Sequence, residues 1–308
     1  VQAGLPGRVW LLATHTHSGP GGHDARPAAE LAALGVHDAR DEARLVAAAR
    51  AAAIEARARL APARLEVVEG DLAGLAVPRS GASVDRRLTA VRFVGARPLA
   101  QWLILTGHPT LVDPGQAALD PDWPGRLAAL AEAAQGPVTL VLQGAGGNAS
   151  VDRAAADTPE AFAARVQAAL PPSVPAAPGA ETSLAWAEVA YGLPHPDGSR
   201  LAPGWLRRPL ENVLCAEAER EAVVAVLRLG VASLLFTSVE PTAEAGVALE
   251  ARAGVGRSVG LASAYDGYLE TGRSVEGGTG EARRQYFGPE FMSLVGEAAA
   301  LAGRATDP

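Results

Sequence analysis

The segment RVWLLATHTHSGPGGHD, residues 8–24, sets an apolar run directly against a turn-rich stretch that carries three histidines. The run Arg8 to Ala13 reads as a buried strand, because a short unbroken series of Val, Trp and Leu suits a strand covered on both faces. His15 and His17 are separated by one residue, so in an extended chain their imidazoles project to the same side. That geometry suits a metal ligand beside a proton carrier, and equally a polar loop with incidental histidines. Other segments have to decide between the two.

Working outward, further apolar runs read as strands: Leu65 to Val68, Leu88 to Val94, Ala100 to Leu105, Val138 to Leu142, Leu184 to Ala190, Val223 to Leu229 and Ala232 to Phe236. Helical patterns lie between some of them. Asp41 to Leu60 is an alanine and arginine repeat whose Leu45, Ala49 and Ala52 to Ala53 stripe is expected to face a sheet. The others are Trp123 to Ala134, Pro159 to Leu170, Thr242 to Ala253 and Pro289 to Ala302, with Asp157 or Thr158 expected to cap the second of these. Strands interleaved with helices predict an α/β fold, a mixed β-sheet core flanked by helices. No internal repeat is evident. The stretches 171–180 and 192–205 read as loops, and candidate chemical residues come from both sides of them, so residues 1–308 are expected to form a single catalytic domain. The chain starts on Val1 and reaches an apolar run within a few residues, and we expect a native amino-terminal portion to precede it.

Composition narrows the function. A formal net charge of -7 argues against nucleic acid or an anionic membrane surface as the main partner, and no apolar run is long enough to span a membrane. All 27 basic residues are arginine. Without lysine there is no phosphate-binding Gly-Lys-Ser/Thr loop, no Schiff-base lysine and no covalent pyridoxal cofactor. The single cysteine, Cys215, leaves the redox compartment open and reads as a small buried side chain.

The polar residues that follow the strands form a pattern. RVWLLATHTH delivers His15 and His17, QWLILTGHPT delivers His108, VTLVLQGAGGNASVD delivers Asn148, Ser150 and Asp152, and SLLFTSVEPT delivers Glu240. In α/β proteins, residues just beyond the carboxyl ends of strands line the site crevice. Two imidazoles and a carboxylate are suitable zinc ligands, and a hydrolytic site leaves a position for water. Other readings compete: a hydrogen-bonded loop histidine for His108, and a helix amino-terminal acid for Glu240. The GAGGNA stretch imitates a dinucleotide fingerprint but fits the serine motif below better, and His23, His37 and His195 read as solvated loop residues.

The ordered motifs resemble those of the neutral, non-lysosomal ceramidases. THTHSGPGG is similar to that family's hallmark segment. PRSGASVDRRLTAVRF (78–93), GHPT, GNASVD, LLFTSVEPT and SAYDGYLETGRSVEGGTGEARRQYFGP (263–289) resemble its later segments in the same order. The resemblance implies a zinc-dependent hydrolase of the N-acyl bond of ceramide, acting on a lipid or small-molecule amide. It implies His15, His108, Glu240 and Tyr268 as zinc ligands, His17 as acid/base, Arg79 at the reacting carbonyl and Ser150 as a substrate contact. Tyr268 has a second reading, as a core aromatic with a satisfied hydroxyl. Departures from the family pattern are Val275 where a tyrosine is expected, Asn148 for aspartate, Val151 for proline and no immunoglobulin-like domain after Pro308. These departures keep two alternatives open: a zinc hydrolase of a soluble acyl amide, and a catalytically silent binding homologue.

Overall fold

In the first half of the chain the apolar runs become β1 (Arg64–Asp71), β2 (Ala76–Pro78), β3 (Arg87–Val94), β4 (Pro98–Leu105), β5 (Val138–Gln143) and β6 (Ala149–Val151). The structure, a computed structural model, describes residues 9–22, 25, 35–80, 83–113, 115, 118–133, 136–172, 182–198, 204–217 and 220–307. Arg8, His23 and parts of the two stretches read as loops (173–180 and 199–203) lie outside these residues. The second half supplies β7 (Leu184–Gly192), β8 (Glu221–Leu229), β9 (Ala232–Phe236), β10 (Glu240–Pro241), β11 (Arg257–Val259) and β12 (Tyr268–Leu269). The helices are α1 (Ala39–Ala58), α2 (Asp122–Glu132), α3 (Pro159–Ala169), α4 (Gly204–Glu217), α5 (Ala243–Ala253), α6 (Gly272–Gly277) and α7 (Phe291–Ala305).

The expected mixed β core is present as two four-stranded sheets, β1-β3-β4-β5 and β7-β8-β9-β11. In each, the first three strands are antiparallel neighbours and the fourth joins parallel to the third after a helical crossover, α2 in one sheet and α5 in the other. The halves therefore repeat one topology, a repeat that shared sequence does not reveal. Side-chain alternation explains how they stack. Leu103 and Leu105 of β4 pack with Trp123 of α2 and Phe162 of α3, whereas Ile104 turns to the other face. Val224 and Val226 of β8 pack against Leu249 of α5 and Phe291 of α7, whereas Ala225 and Leu227 turn inward. The inward residues Val91, Ile104, Leu142, Leu234, Phe236 and Val259 join in one shared layer. The result is four layers, helices outside and two sheets face to face. Because both faces of β3, β4, β8 and β9 are covered, these strands read as near-continuous apolar runs.

Charge also crosses between the halves. Arg257 of β11, 2% exposed, donates Nη1 to Asp85 Oδ2 at 2.9 Å, and Arg87 donates to both Asp85 and Glu250. Glu250 in turn accepts from the Ser258 N–H at 2.8 Å. The network ties the start of β3 to β11 and α5.

Several expectations need correction. Among the described residues of Arg8 to Ala13, which begin at Val9, there is no ladder strand: Leu12 forms one isolated bridge to Ala262, and the Ala13 N–H bonds to the Leu261 carbonyl at 3.1 Å. Its apolar residues are held by ring packing instead, Trp10 meeting Trp186 and Phe236. Helix α1 buries no residue, so its Leu45 stripe faces no sheet; alanine propensity, the Asp38 cap and pairs such as Glu55–Arg59 support it. Residues 204 and 205, read as loop, begin α4, whose interior Pro209 masks the helical pattern. Cys215 on α4 is exposed, with its Sγ 3.1 Å from His195 Nε2. Thr158, rather than Asp157, caps α3 by accepting the Ala161 N–H. Among the described residues no helix is long and apolar enough to cross a membrane.

Removing one partner of the buried network strands the others. Arg257→Met is expected to destabilise the fold by roughly 3 kcal/mol, the low end for breaking a buried pair, since Arg87 still meets Asp85. Urea unfolding measures this, and a loss below about 1 kcal/mol would show that the network does not hold the halves together.

Candidate metal centre

The loops after β4, β5, β9 and β11 all open at the same end of the two sheets, and each brings polar groups to one point. After β4, Gly107 adopts φ +140, a conformation that favours glycine, and turns the chain so that His108 points inward. The Ala149 carbonyl accepts both the His108 backbone N–H and its Nδ1–H, each at 3.0 Å. A carbonyl can only accept, so Nδ1 carries the proton and Nε2 presents its lone pair, the arrangement of a metal-binding imidazole. Gly147 completes this turn, where a Cβ would lie 2.7 Å from the Glu240 carbonyl oxygen.

From the other half, β10 and β12 form a two-stranded parallel ribbon in which Glu240 is the register partner of Tyr268. Glu240 therefore enters the site from a short strand, ahead of α5, rather than from the helix terminus. Its Oε1 accepts the Tyr265 hydroxyl at 2.8 Å. Its Oε2 lies 3.2 Å from His15 Nε2 and 3.5 Å from His108 Nε2. The Tyr268 hydroxyl is 3.2 Å from His108 Nε2.

His15 arrives on the segment that runs beside residues 261–263, anchored where Gln143 Nε2 donates to the Thr14 carbonyl at 2.9 Å. It has φ 67, a left-handed conformation that costs a non-glycine residue roughly 1–2 kcal/mol. Such strain concentrates at functional sites. His17 lies on the exposed side, its ring centroid 5.0 Å from that of His15 and 5.8 Å from that of His108.

The group could hold a metal ion, and two atoms mark the place. His15 Nε2 and Glu240 Oε2 are both buried and neither has a hydrogen-bond partner, although they face each other. Buried polar atoms left unpaired are costly, and a metal ion would satisfy an imidazole nitrogen and a carboxylate oxygen together. The ligating atoms of His15, His17 and His108 all lie within 4.8 Å of one another. Burial pushes the Glu240 carboxyl up, but the His108 and His15 imidazoles outweigh it and hold Glu240 well below the usual carboxylate range. Burial, followed by the neighbouring His15 and His108, lowers His17 to about 4. Burial and then Glu240 push Tyr268 up to about 12, against the pull of Arg79.

The structure thus brings together His15, His17, His108, Glu240 and Tyr268. Arg79 joins them, donating Nη2 to the Tyr268 hydroxyl at 3.2 Å and to the Gly147 carbonyl at 2.6 Å. Ser150 sits on β6 opposite Val77 of β2, two residues before Arg79, and forms no described side-chain hydrogen bond. Asn148 is a staple: its amide donates to the Ser80 and Ser83 carbonyls and accepts the Ala243 N–H. Val275 is 1% exposed inside α6, and the groups meeting Tyr268 are His108, Arg79 and Arg284. The absent hydroxyl at 275 is therefore a change in the core. Sequence reasoning missed Tyr265, Glu281 and Arg284, whose roles depend on contacts across loops.

No protein-family model matches the sequence, and no curated protein does. Solved structures do. The neutral ceramidase from Pseudomonas aeruginosa superimposes with a TM-score of 0.68 at 19% identity, over 97% of this chain and 61% of that one. A ceramidase complexed with C2 gives 0.65 at 18% identity, over 96% of this chain and 61% of that one. The fold matches that of the ceramidases, and the chain spans about three-fifths of the length of these neighbours.

If the centre holds zinc through the buried groups, the partner of Glu240 has a measurable effect. Tyr265→Phe is expected to lower zinc affinity by about 10–100-fold, the usual cost of losing a group that orients a ligand. His17→Gln is expected to retain zinc. Competition with a chromogenic chelator reads both, and loss of zinc in His17→Gln would place His17 among the ligands.

Proposed function

We propose that residues 1–308 form one zinc-dependent amide hydrolase domain that cleaves the N-acyl bond of ceramide or a related N-acyl lipid. The observation that carries this reading is the pair of buried, unpartnered atoms, His15 Nε2 and Glu240 Oε2, facing each other beside His108 Nε2. The shared fold of the two ceramidases supports it.

His15, His108, Glu240 and Tyr268 would hold the ion. Zinc, when bound, supplies a Lewis acid that polarises a carbonyl and brings the pKa of water to about 7. The protein's own groups account for the proton traffic. With its pKa lowered to about 4, His17 is unprotonated at pH 7, the state a proton acceptor needs. It takes a proton from the attacking water as the water oxygen bonds to the acyl carbon. It returns that proton to the nitrogen as the C–N bond breaks, releasing a free amine and a carboxylic acid. Arg79 would stabilise the negative charge that develops on the carbonyl oxygen. Burial lowers the pKa of its guanidinium, but Glu281 and Tyr268 outweigh that and keep it charged. Ser150 would touch the substrate.

A soluble acyl amide is the second reading. The observation favouring it is the polar surroundings of the histidines: Thr16 Oγ1 bonds to the Asp120 carbonyl, Arg126 pairs with Asp120, and Arg284 is exposed near Tyr268.

Protein purified without added metal is expected to carry about one zinc per chain and to release fatty acid from ceramide in detergent. His15→Ala should lose both properties. Activity on small water-soluble amides with none on ceramide would favour the second reading. Bound zinc with no cleavage across a broad amide panel would leave a binding homologue.

A further inference from the structure

Two guanidinium groups approach the Tyr268 ring. Arg79 Cζ is 5.6 Å from the ring centroid and Arg284 Cζ is 5.9 Å from it. Both arginines rest on one carboxylate, that of Glu281, which is 3% exposed. Its Oε1 accepts Arg79 Nε at 3.1 Å together with the Ser80 hydroxyl, and its Oε2 accepts Arg284 Nη1. The turn that delivers Glu281 is tightly built. Gly280 has φ +62, a Cβ there would lie 2.1 Å from Glu270 Oε1, and that same oxygen accepts the Glu281 N–H at 2.7 Å.

Two permanent cations therefore share the single carboxylate of Glu281. The two arginines differ in what they have left to offer. Arg79 is committed to Glu281, Gly147 and Tyr268, with 27% of its side chain exposed. Arg284 is 54% exposed, and apart from Nη1 its N–H groups have no partner among the described residues. Glu281 fixes one corner of its fork, and the remaining donors lie unpartnered among the described residues, beside Tyr268. A guanidinium held in this way suits the planar, bidentate recognition of a carboxylate or phosphate. A neutral amine portion offers it weaker, single acceptors.

We infer that Arg284 is a specificity residue for an acyl amide whose amine portion carries an anionic group, a carboxylate or a phosphate. Glu281 is the positioning residue that presents it. This rests on the hydrolase reading for the substrate's amide bond, but the recognition step can be tested without turnover.

The test compares N-acylglycine and N-acylethanolamine O-phosphate with neutral N-acylethanolamine, all with the same acyl chain. The expected ratio of kcat/KM, anionic over neutral, exceeds about 10 in the native chain and falls about 10-fold in Arg284→Gln, with partial recovery in Arg284→Lys. Calorimetric titration of the metal-free protein with N-acylglycine should show a Kd about 10-fold weaker in Arg284→Gln. The carboxylate and phosphate substrates tell which anion the fork prefers. Equal ratios in the native chain and Arg284→Gln, or equal binding of anionic and neutral amides, would overturn the inference. Arg284-dependent binding of the anion with no amide cleaved would instead overturn the hydrolase reading and leave the anion receptor standing.

Discussion

An imidazole nitrogen and a carboxylate oxygen that face each other in a buried place are the constraint on which the rest of this structure depends. His15 Nε2 and Glu240 Oε2 come from segments 225 residues apart and sit 3.2 Å from each other without a hydrogen bond. Left alone, such atoms cost the full desolvation of each group. The surrounding structure maintains the arrangement: Ala149 fixes the His108 tautomer, Tyr265 holds the other oxygen of Glu240, and His15 is kept in a left-handed conformation. A fold selected for stability alone has no reason to keep three such features at one point.

The repeated topology explains why the point lies where it does. Each half ends its central antiparallel strand, β4 or β9, on a segment that turns a polar side chain inward, His108 from one and Glu240 from the other. The two sheets pack face to face through a common apolar layer, so these loops open beside each other. The Arg257–Asp85–Arg87–Glu250 network crosses the same boundary away from the site. The candidate metal centre is thus built between two copies of one topology, and rigid sheets supply the precision.

The sequence makes much of this legible, and its limits are physical. Apolar runs of Val, Ile and Leu announce β3, β4, β8 and β9 because both faces of those strands are covered. Residues just past strand ends locate His108 and Glu240. What could not be read depends on contacts that leave no local pattern. The register of β10 with β12, which sets Glu240 beside Tyr268, belongs to two-residue strands with no periodicity. The stretch Arg8 to Ala13 has the composition of a strand, yet it is held mainly by tryptophan packing rather than a ladder. Helix α4 hides behind Pro209, and the exposed stripe of α1 has a period without a surface to cover. Glu281 and Arg284 look like ordinary loop charges until they are seen beside Tyr268.

The most direct measurement is X-ray absorption at the zinc edge on the zinc-loaded chain, which counts the imidazoles bound to the ion. Coordination by His15, His108, Glu240 and Tyr268 predicts two imidazoles among light oxygen ligands. That count should drop to one in His108→Ala and stay at two in His17→Gln. Three imidazoles, a sulfur ligand or a spectrum unchanged by His108→Ala would contradict the assignment.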